Sequence, residues 1–368
     1  MRELVALDLP LGPTLEAAIR SCLDRDEAFC VLDQRLSPTR RRAELDALEA
    51  TWVQDSEGRS VRPSGRGVDD DVALVMLTSG TSGQPKAAEL SLSALNASAT
   101  MTQAHLGGAG ATWFPCLSAT HIGGLAVLLR AILGDAELWW GDSEDLAGAL
   151  SHGATHVALV RTQLFRHDVS GFSTVLLGGA RPPVSLPENV VTTWGMTETG
   201  SGIVYDATPL PLVEVASVAG ELLVRTPTLF RSYRGTERPS ALGPDGRHDW
   251  FPTGDAGSFQ DGRVSVQGRI KYVINSGGEK IWPDDLEAVL SAIAEIDDVA
   301  IFGVPDPEWG ERVVALVVSD GDSLDDTIRS LAEERVGPWA KPKEIHYVAA
   351  IPRTMSGKIR RGELAQLV

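Results

Sequence analysis

A chain of 368 residues, 43% hydrophobic and 23% charged, is long enough to bury a sizeable core and to divide into more than one domain. Its formal net charge of −17 argues against nucleic acid or an anionic membrane as partner, because both require a positive field. An anionic substrate must therefore be met by locally placed cations or a metal. Cys22, Cys30 and Cys116 are odd in number and lack metal-ligand spacing, as a reducing cytoplasm predicts. Cys116 reads as a small buried hydrophobe rather than a catalytic thiol. The N-terminal stretch carries Arg2, Glu3, Asp8 and Glu16 and has no signal-peptide apolar core. The apolar stretch 122–133 is interrupted by Arg130 and too short to span a bilayer, so a cytoplasmic location without membrane insertion is expected.

Along the chain, residues 1–60 are the least informative. Arg40-Arg41-Arg42 reads as a solvated helix face, and 56–71, polar and rich in glycine and charge, reads as a linker. An apolar strand is predicted over 72–77. Directly after it comes Thr78-Ser79-Gly80-Thr81-Ser82-Gly83-Gln84-Pro85-Lys86, with two glycines, four hydroxyl side chains and a terminal lysine. Such a loop suits a polyphosphate: glycine allows close backbone approach, hydroxyls and free N–H groups donate, and lysine adds charge. The spacing differs from that of the nucleoside-triphosphatase loop, so this is another kind of phosphate loop. Ser91 is the expected N-cap of a helix to about His105. Strands at 112–115, 155–160, 174–177 and 190–193 alternate with helical or turn segments, including an apolar helix at 122–133. That alternation predicts a parallel-rich sheet flanked by helices, with ligands beyond the carboxyl ends of the strands.

After residue 213 the pattern turns β-rich, with strands at 220–224 and 264–267. A final block has strands at 272–274, 299–304 and 313–318 and helices at 284–293 and 323–334, which describes a small α+β domain. Four further strings carry chemistry. Trp194-Gly195-Met196-Thr197-Glu198 is expected just after a short strand and offers a stacking ring, a hydroxyl and a carboxylate able to hold magnesium together with substrate phosphates. Thr253-Gly254-Asp255 reads as a turn presenting a carboxylate to ribose hydroxyls. Gly268-Arg269-Ile270-Lys271 opens the terminal block, and Pro352-Arg353-Thr354-Met355-Ser356-Gly357-Lys358 puts a lysine on a glycine-bearing loop.

Each string alone is weak, but their order and separations, together with Gly178-Gly179-Ala180, Gly220-Glu221-Leu222, Gly277-Gly278-Glu279 and Phe302-Gly303-Val304-Pro305-Asp306, resemble the adenylate-forming superfamily over about 70–361. This superfamily comprises acyl-CoA synthetases, firefly-type luciferases and adenylation domains. The resemblance implies an α/β fold: a large N-terminal domain, 1–267, with parallel-rich sheets and a β-rich subdomain, and a small mobile α+β lid, 268–368. It implies ATP, Mg2+ and coenzyme A as cofactors. Thr78, Ser79, Gly80, Thr81, Ser82, Gly83 and Lys86 would wrap the β- and γ-phosphates. Gly179, Ala180 and Trp194 would form the adenine slot, with Trp194 in place of the commoner tyrosine. Thr197 would contact the α-phosphate and Glu198 the metal. Asp255 would bind the ribose, supported by Arg269. Lys358 would be the catalytic lysine, and Lys271 falls at the hinge.

Substrate choice is carried by 113–125, 159–164, 197–206 and 278–283, which resemble the o-succinylbenzoate–CoA ligases of menaquinone biosynthesis in their short actinobacterial form. The resemblance implies a small-molecule carboxylate substrate. His121 is assigned to the acyl pocket or to substrate hydrogen bonding, against the alternative of a core histidine. Ser201 and Gly202 would line the ring site, and Arg130 would meet the second carboxylate unless it lies on the helix surface. The sequence keeps three alternatives open: another aryl- or alkyl-carboxylate CoA ligase, a freestanding enzyme loading a carrier protein, and a non-catalytic nucleotide-binding protein. Ala87 replaces the glycine usual after Pro-Lys, and Arg161 stands where the related ligases usually have proline.

Overall fold

The computed structural model describes residues 1–78, 86–108, 110–183, 185–321, 323–353 and 357–368. The chain divides into two compact units, Met1–Val215 with Val224–Phe251, and Ala216–Leu223 with Pro252–Val368. No helix among the described residues is long and apolar enough to cross a membrane.

The first unit holds two seven-stranded sheets. One runs in the order Ser232–Tyr233, Lys86–Ser91, Val72–Thr78, Ala28–Val31, Leu4–Leu7, Trp52–Gln54, Arg59–Val61. Four neighbouring strands, from Val72–Thr78 to Trp52–Gln54, are parallel, and the apolar runs of the first three are buried on both faces. The first sixty residues therefore build half of this sheet. The expected linker is overturned: 56–71 contains the strand Arg59–Val61, and Arg2 and Val68 exchange backbone hydrogen bonds at 2.8 and 2.9 Å. A polar three-residue edge strand leaves no alternation in the sequence to detect. Arg40 and Arg42 do lie exposed on the helix Pro38–Leu48, while Arg41 pairs with Asp8 at 2.9 Å.

The second sheet runs Thr208–Pro209, Ser201–Tyr205, Val190–Met196, Thr174–Leu177, His156–Leu159, Thr112–Phe114, Glu137–Leu138. It is parallel from Val190–Met196 onward, as the alternation predicted. Against it pack the helix Leu92–Leu106, N-capped by Ser91 Oγ accepting from Ala94 N at 3.1 Å, and the apolar helix Ile122–Ile132. The strand expected at 190–193 continues through Met196, so Trp194 lies within it rather than after it. Antiparallel pairing with Ser201–Tyr205 supplies the hydrogen bonds that extend it.

The second unit contains most of a four-stranded sheet, Glu214–Val218, Glu221–Arg225, Phe251–Gln260, Arg263–Arg269, and all of a five-stranded one. Thr253-Gly254-Asp255 is not a free turn. It lies inside the strand Phe251–Gln260, with Gly254 at φ 72°, a left-handed kink that glycine accepts without a Cβ penalty. In the five-stranded sheet Gly310–Val318 is central and Asp298–Asp306 is its edge partner, and the hairpin's period-2 pattern is apolar on both faces. Val299, Ile301, Val313, Ala315 and Val317 face the helices Pro283–Leu290 and Asp325–Arg335, whereas Ala300, Phe302, Val314 and Leu316 pack against Ile351 and Leu364. The strand expected at 272–274 begins later, at Ile274–Ser276, because Ile270–Tyr272 winds into a 3₁₀ turn.

Candidate active site

The phosphate loop joins two antiparallel strands, not a strand and a helix. Thr78 ends Val72–Thr78, Lys86 opens Lys86–Ser91, and the two are paired, with Thr78 Oγ1 3.4 Å from the Lys86 carbonyl. Ser79, Gly80, Thr81, Ser82 and Gly83 lie outside the described residues. The Lys86 ammonium sits 4.8 Å above the centre of the Tyr233 ring. The Tyr233 hydroxyl donates to Glu198 Oε1 at 2.7 Å. Glu198 follows Thr197 in a single 3₁₀ turn, Thr197–Thr199, and is only 9% exposed. Thr199 Oγ1 fixes the turn, accepting from Met196 N at 2.9 Å and donating to the Ser201 carbonyl at 2.7 Å. Among the described residues no three His, Cys, Asp or Glu side chains gather as a metal-binding group. A lone carboxylate of this kind suits magnesium, which keeps waters and phosphate oxygens as its other ligands.

Gly179 and Ala180 follow the strand Thr174–Leu177, and the parallel register, Leu177 opposite Thr192, carries Gly179 to the level of Trp194. The three predicted adenine-slot residues thus share one sheet end.

The predicted substrate residues separate into two places. Arg130 is not on the helix surface: it is 3% exposed, with its guanidinium carbon 4.5 Å over the Trp113 ring. Its Nε and Nη1 have no hydrogen-bond partner among the described residues. Burial pushes its pKa below the ordinary guanidinium value, offset in part by the Tyr205 hydroxyl. Arg130 packs beside Leu95, Ser98, Leu129 and Gly200 around a void too small to hold a water molecule. Ser201 reaches the same place indirectly, its hydroxyl 2.8 Å from that of Ser98. Gly202 packs where an added Cβ would overlap Thr193 Oγ1, so its smallness serves the strand pair. His121 precedes the helix Ile122–Ile132 and lines a different cavity of about 80 Å³ with Asp33, Glu44 and Met76. Burial raises Glu44, and the Asp33 charge raises it further, so this second cavity is acid-lined. The structure does not bring His121 and Arg130 into one cavity. Cys116 is buried and its thiol is pushed up to about 12 by burial, as a packing residue.

In the second unit Asp255, 5% exposed, and Arg269 stand opposite each other across two strands and pair at 2.8 Å. Gly254 N donates to Glu221 Oε1 at 2.9 Å, and Arg269 Nη1 donates to the Thr253 carbonyl at 2.7 Å, so the kinked backbone before Asp255 is fixed as well. Lys271 lies in the 3₁₀ turn, 4.4 Å over the Tyr272 ring, whose centre is 5.4 Å from the Arg361 guanidinium carbon. Lys358 is exposed on a segment pinned on both sides. Arg353 Nε pairs with Asp298 at 2.9 Å. Arg361 donates to Glu287 Oε1 at 2.7 Å, Asp284 Oδ1 at 2.8 Å and the Ile301 carbonyl at 2.7 Å. Burial raises the Glu287 pKa, and Arg361 restrains the rise.

Sequence reasoning had no signal for Tyr233, Ser98 or Arg361 at these positions. Each acts through a neighbour distant in the chain, and none falls in a diagnostic string.

The chain belongs to the AMP-binding enzyme family. Residues 16–218 match the AMP-binding enzyme family, and 285–358 match the AMP-binding enzyme C-terminal domain. A probable 2-succinylbenzoate–CoA ligase of Mycobacterium tuberculosis is 34% identical over 333 residues, 82% of this chain and 86% of the relative. Two structures of o-succinylbenzoate coenzyme A synthetase from Bacillus subtilis share the fold. The complex with the acyl-adenylate intermediate has a TM-score of 0.85 at 23% identity, covering 98% of this chain and 88% of that one. The complex with ATP and magnesium has a TM-score of 0.85 at 24% identity, covering 99% and 89%.

Proposed function

We propose that this chain is an ATP-dependent ligase that adenylates o-succinylbenzoate and transfers the acyl group to coenzyme A, giving 2-succinylbenzoyl-CoA, AMP and pyrophosphate. The reaction begins with a carboxylate attacking the α-phosphorus of ATP, so two anions must approach. Lys86, Thr78 and the remainder of the phosphate loop take the β- and γ-phosphates, Thr197 the α-phosphate, and Asp255 with Arg269 the ribose. Gly179, Ala180 and Trp194 enclose the adenine. Glu198 would hold magnesium, which when bound supplies charge neutralisation at the phosphate oxygens. Lys358 would stabilise the charge that develops as the carboxylate attacks the α-phosphate. The product is a mixed anhydride with AMP as leaving group, and the coenzyme A thiolate then attacks its carbonyl. Lys358 is needed in the first step and obstructs the second, which a mobile lid, residues 268–368 pivoting at Lys271, relieves. The enzyme acts in the cytoplasm on a small-molecule carboxylate.

The observation that carries the choice of acid is Arg130. A buried guanidinium with two N–H groups unpartnered among the described residues, beside Ser98 and Gly200, is a cation in need of an anion. A dianionic acid supplies one carboxylate for chemistry and a second for this residue, which it reaches only if the closed void beside Arg130 opens on binding. The name of the mycobacterial relative supports the same reading. The test is coupled AMP release with o-succinylbenzoate, benzoate, 4-coumarate and a medium-chain fatty acid. We expect o-succinylbenzoate to dominate, and a preference for any of the other three overturns the assignment.

A further inference from the structure

The geometry points to Tyr233 as a positioning residue for metal–nucleotide binding, joining the phosphate-loop lysine to the metal carboxylate; this rests on the roles proposed above for Lys86 and Glu198. One face of the ring lies under the Lys86 ammonium at 4.8 Å, and the hydroxyl donates to Glu198 Oε1 at 2.7 Å. The ring is itself fixed. Phe230 packs edge-on against it at 4.8 Å, and the two-residue strand Ser232–Tyr233 pairs with Lys86–Ser91, Tyr233 opposite Ala88. On either side the backbone is tied to both partners: Phe230 N donates to the Glu198 carbonyl at 2.8 Å, and Arg234 N to the Ala87 carbonyl at 2.7 Å. Residues 230–234 thus form a brace between the acidic turn and the strand leaving the phosphate loop.

The chemistry follows from the charges. A phenol donating to Oε1 occupies one carboxylate oxygen and directs the other, Oε2, to a cation. It also lowers the freedom of a side chain that must accept a divalent ion in near-octahedral geometry. The electron-rich ring face attracts the ammonium and holds it at that spot. Tyr233 touches neither the reacting carboxylate nor the α-phosphorus in this role.

The test is equilibrium binding of α,β-methylene-ATP to the full chain by calorimetry, with and without Mg2+ and without acid. In the unmodified protein Mg2+ should tighten binding. Tyr233→Phe keeps the ring beside Lys86 and removes the donor, so the Mg2+-dependent gain should shrink about 10-fold while metal-free affinity stays unchanged. Tyr233→Leu should in addition weaken metal-free binding about 5-fold through the lost ring. Glu198→Gln serves as the reference. If Glu198→Gln keeps the full gain, the assignment of Glu198 is wrong and the role of Tyr233 goes with it. If Glu198→Gln loses the gain but Tyr233→Phe keeps it, only the positioning role is overturned. A Tyr233→Phe protein that loses metal-free and metal-dependent affinity alike, or that no longer gives a native circular-dichroism spectrum, marks Tyr233 as purely structural, which also overturns it.

Discussion

Arg130→Met separates binding from stability with opposite signs. In the free protein the guanidinium is buried, two of its nitrogens lack partners among the described residues, and each unmet donor costs about 1–3 kcal/mol. Methionine removes both penalties but forfeits the contact with Trp113, worth about 2 kcal/mol when desolvated. The variant should therefore be more stable by up to about 4 kcal/mol, as when a buried ion is replaced by an apolar side chain. Binding moves the other way. Losing a charge-assisted pair with the second carboxylate, about 2–4 kcal/mol, raises KM for o-succinylbenzoate roughly 30- to 1,000-fold and leaves that for benzoate unchanged. Urea unfolding and acid-dependent AMP release measure the two. A variant that is less stable and saturates normally with o-succinylbenzoate would refute the reasoning, because Arg130 would then be a satisfied structural cation. The same substitution has a pH signature at His156, whose pKa is lowered first by burial and then by Arg130. In the unmodified protein the unfolded chain takes up a proton there near pH 6.5 that the folded form resists, so stability falls as pH drops below that value. In Arg130→Met that loss should be smaller.

Two further substitutions test the second unit. Lys358→Ala should slow carboxylate-dependent pyrophosphate exchange about 100-fold or more while leaving thioester formation from supplied acyl-adenylate intact, as half-reaction assays will show. Arg361→Gln should destabilise the unit by about 3–5 kcal/mol, because Glu287 is left buried without its cation. The Glu287 pKa is already raised, so this loss should be smallest near pH 4.5, where the carboxyl is protonated, and should grow as pH rises, as denaturation at several pH values will show.

The long apolar strands and capped helices were legible because their signal is local. Ser91 and the run after it fix the helix Leu92–Leu106, and buried valine-rich runs mark the central strands. The three-residue strands at 52–54 and 59–61 were not, since their pairing partners rather than their residues make them strands. Arg130 carried a readable sign. The helix around it is apolar on every side, and a helix hydrophobic all round is buried together with any arginine it contains. The phosphate loop, Glu198, Asp255 and Lys358 stand in recognisable strings. Tyr233 does not, because its meaning comes from a hydroxyl meeting a carboxylate 35 positions away.

Ile351 and Leu364 are keystones of one sheet face, and Arg353 and Arg361 bolt the intervening stretch to the strand Asp298–Asp306. The terminal lysine is consequently no free arm. The hairpin and its helices are fastened to the same stretch, and shortening the chain before residue 364 would strip that sheet face of Leu364 while leaving position 358 in place.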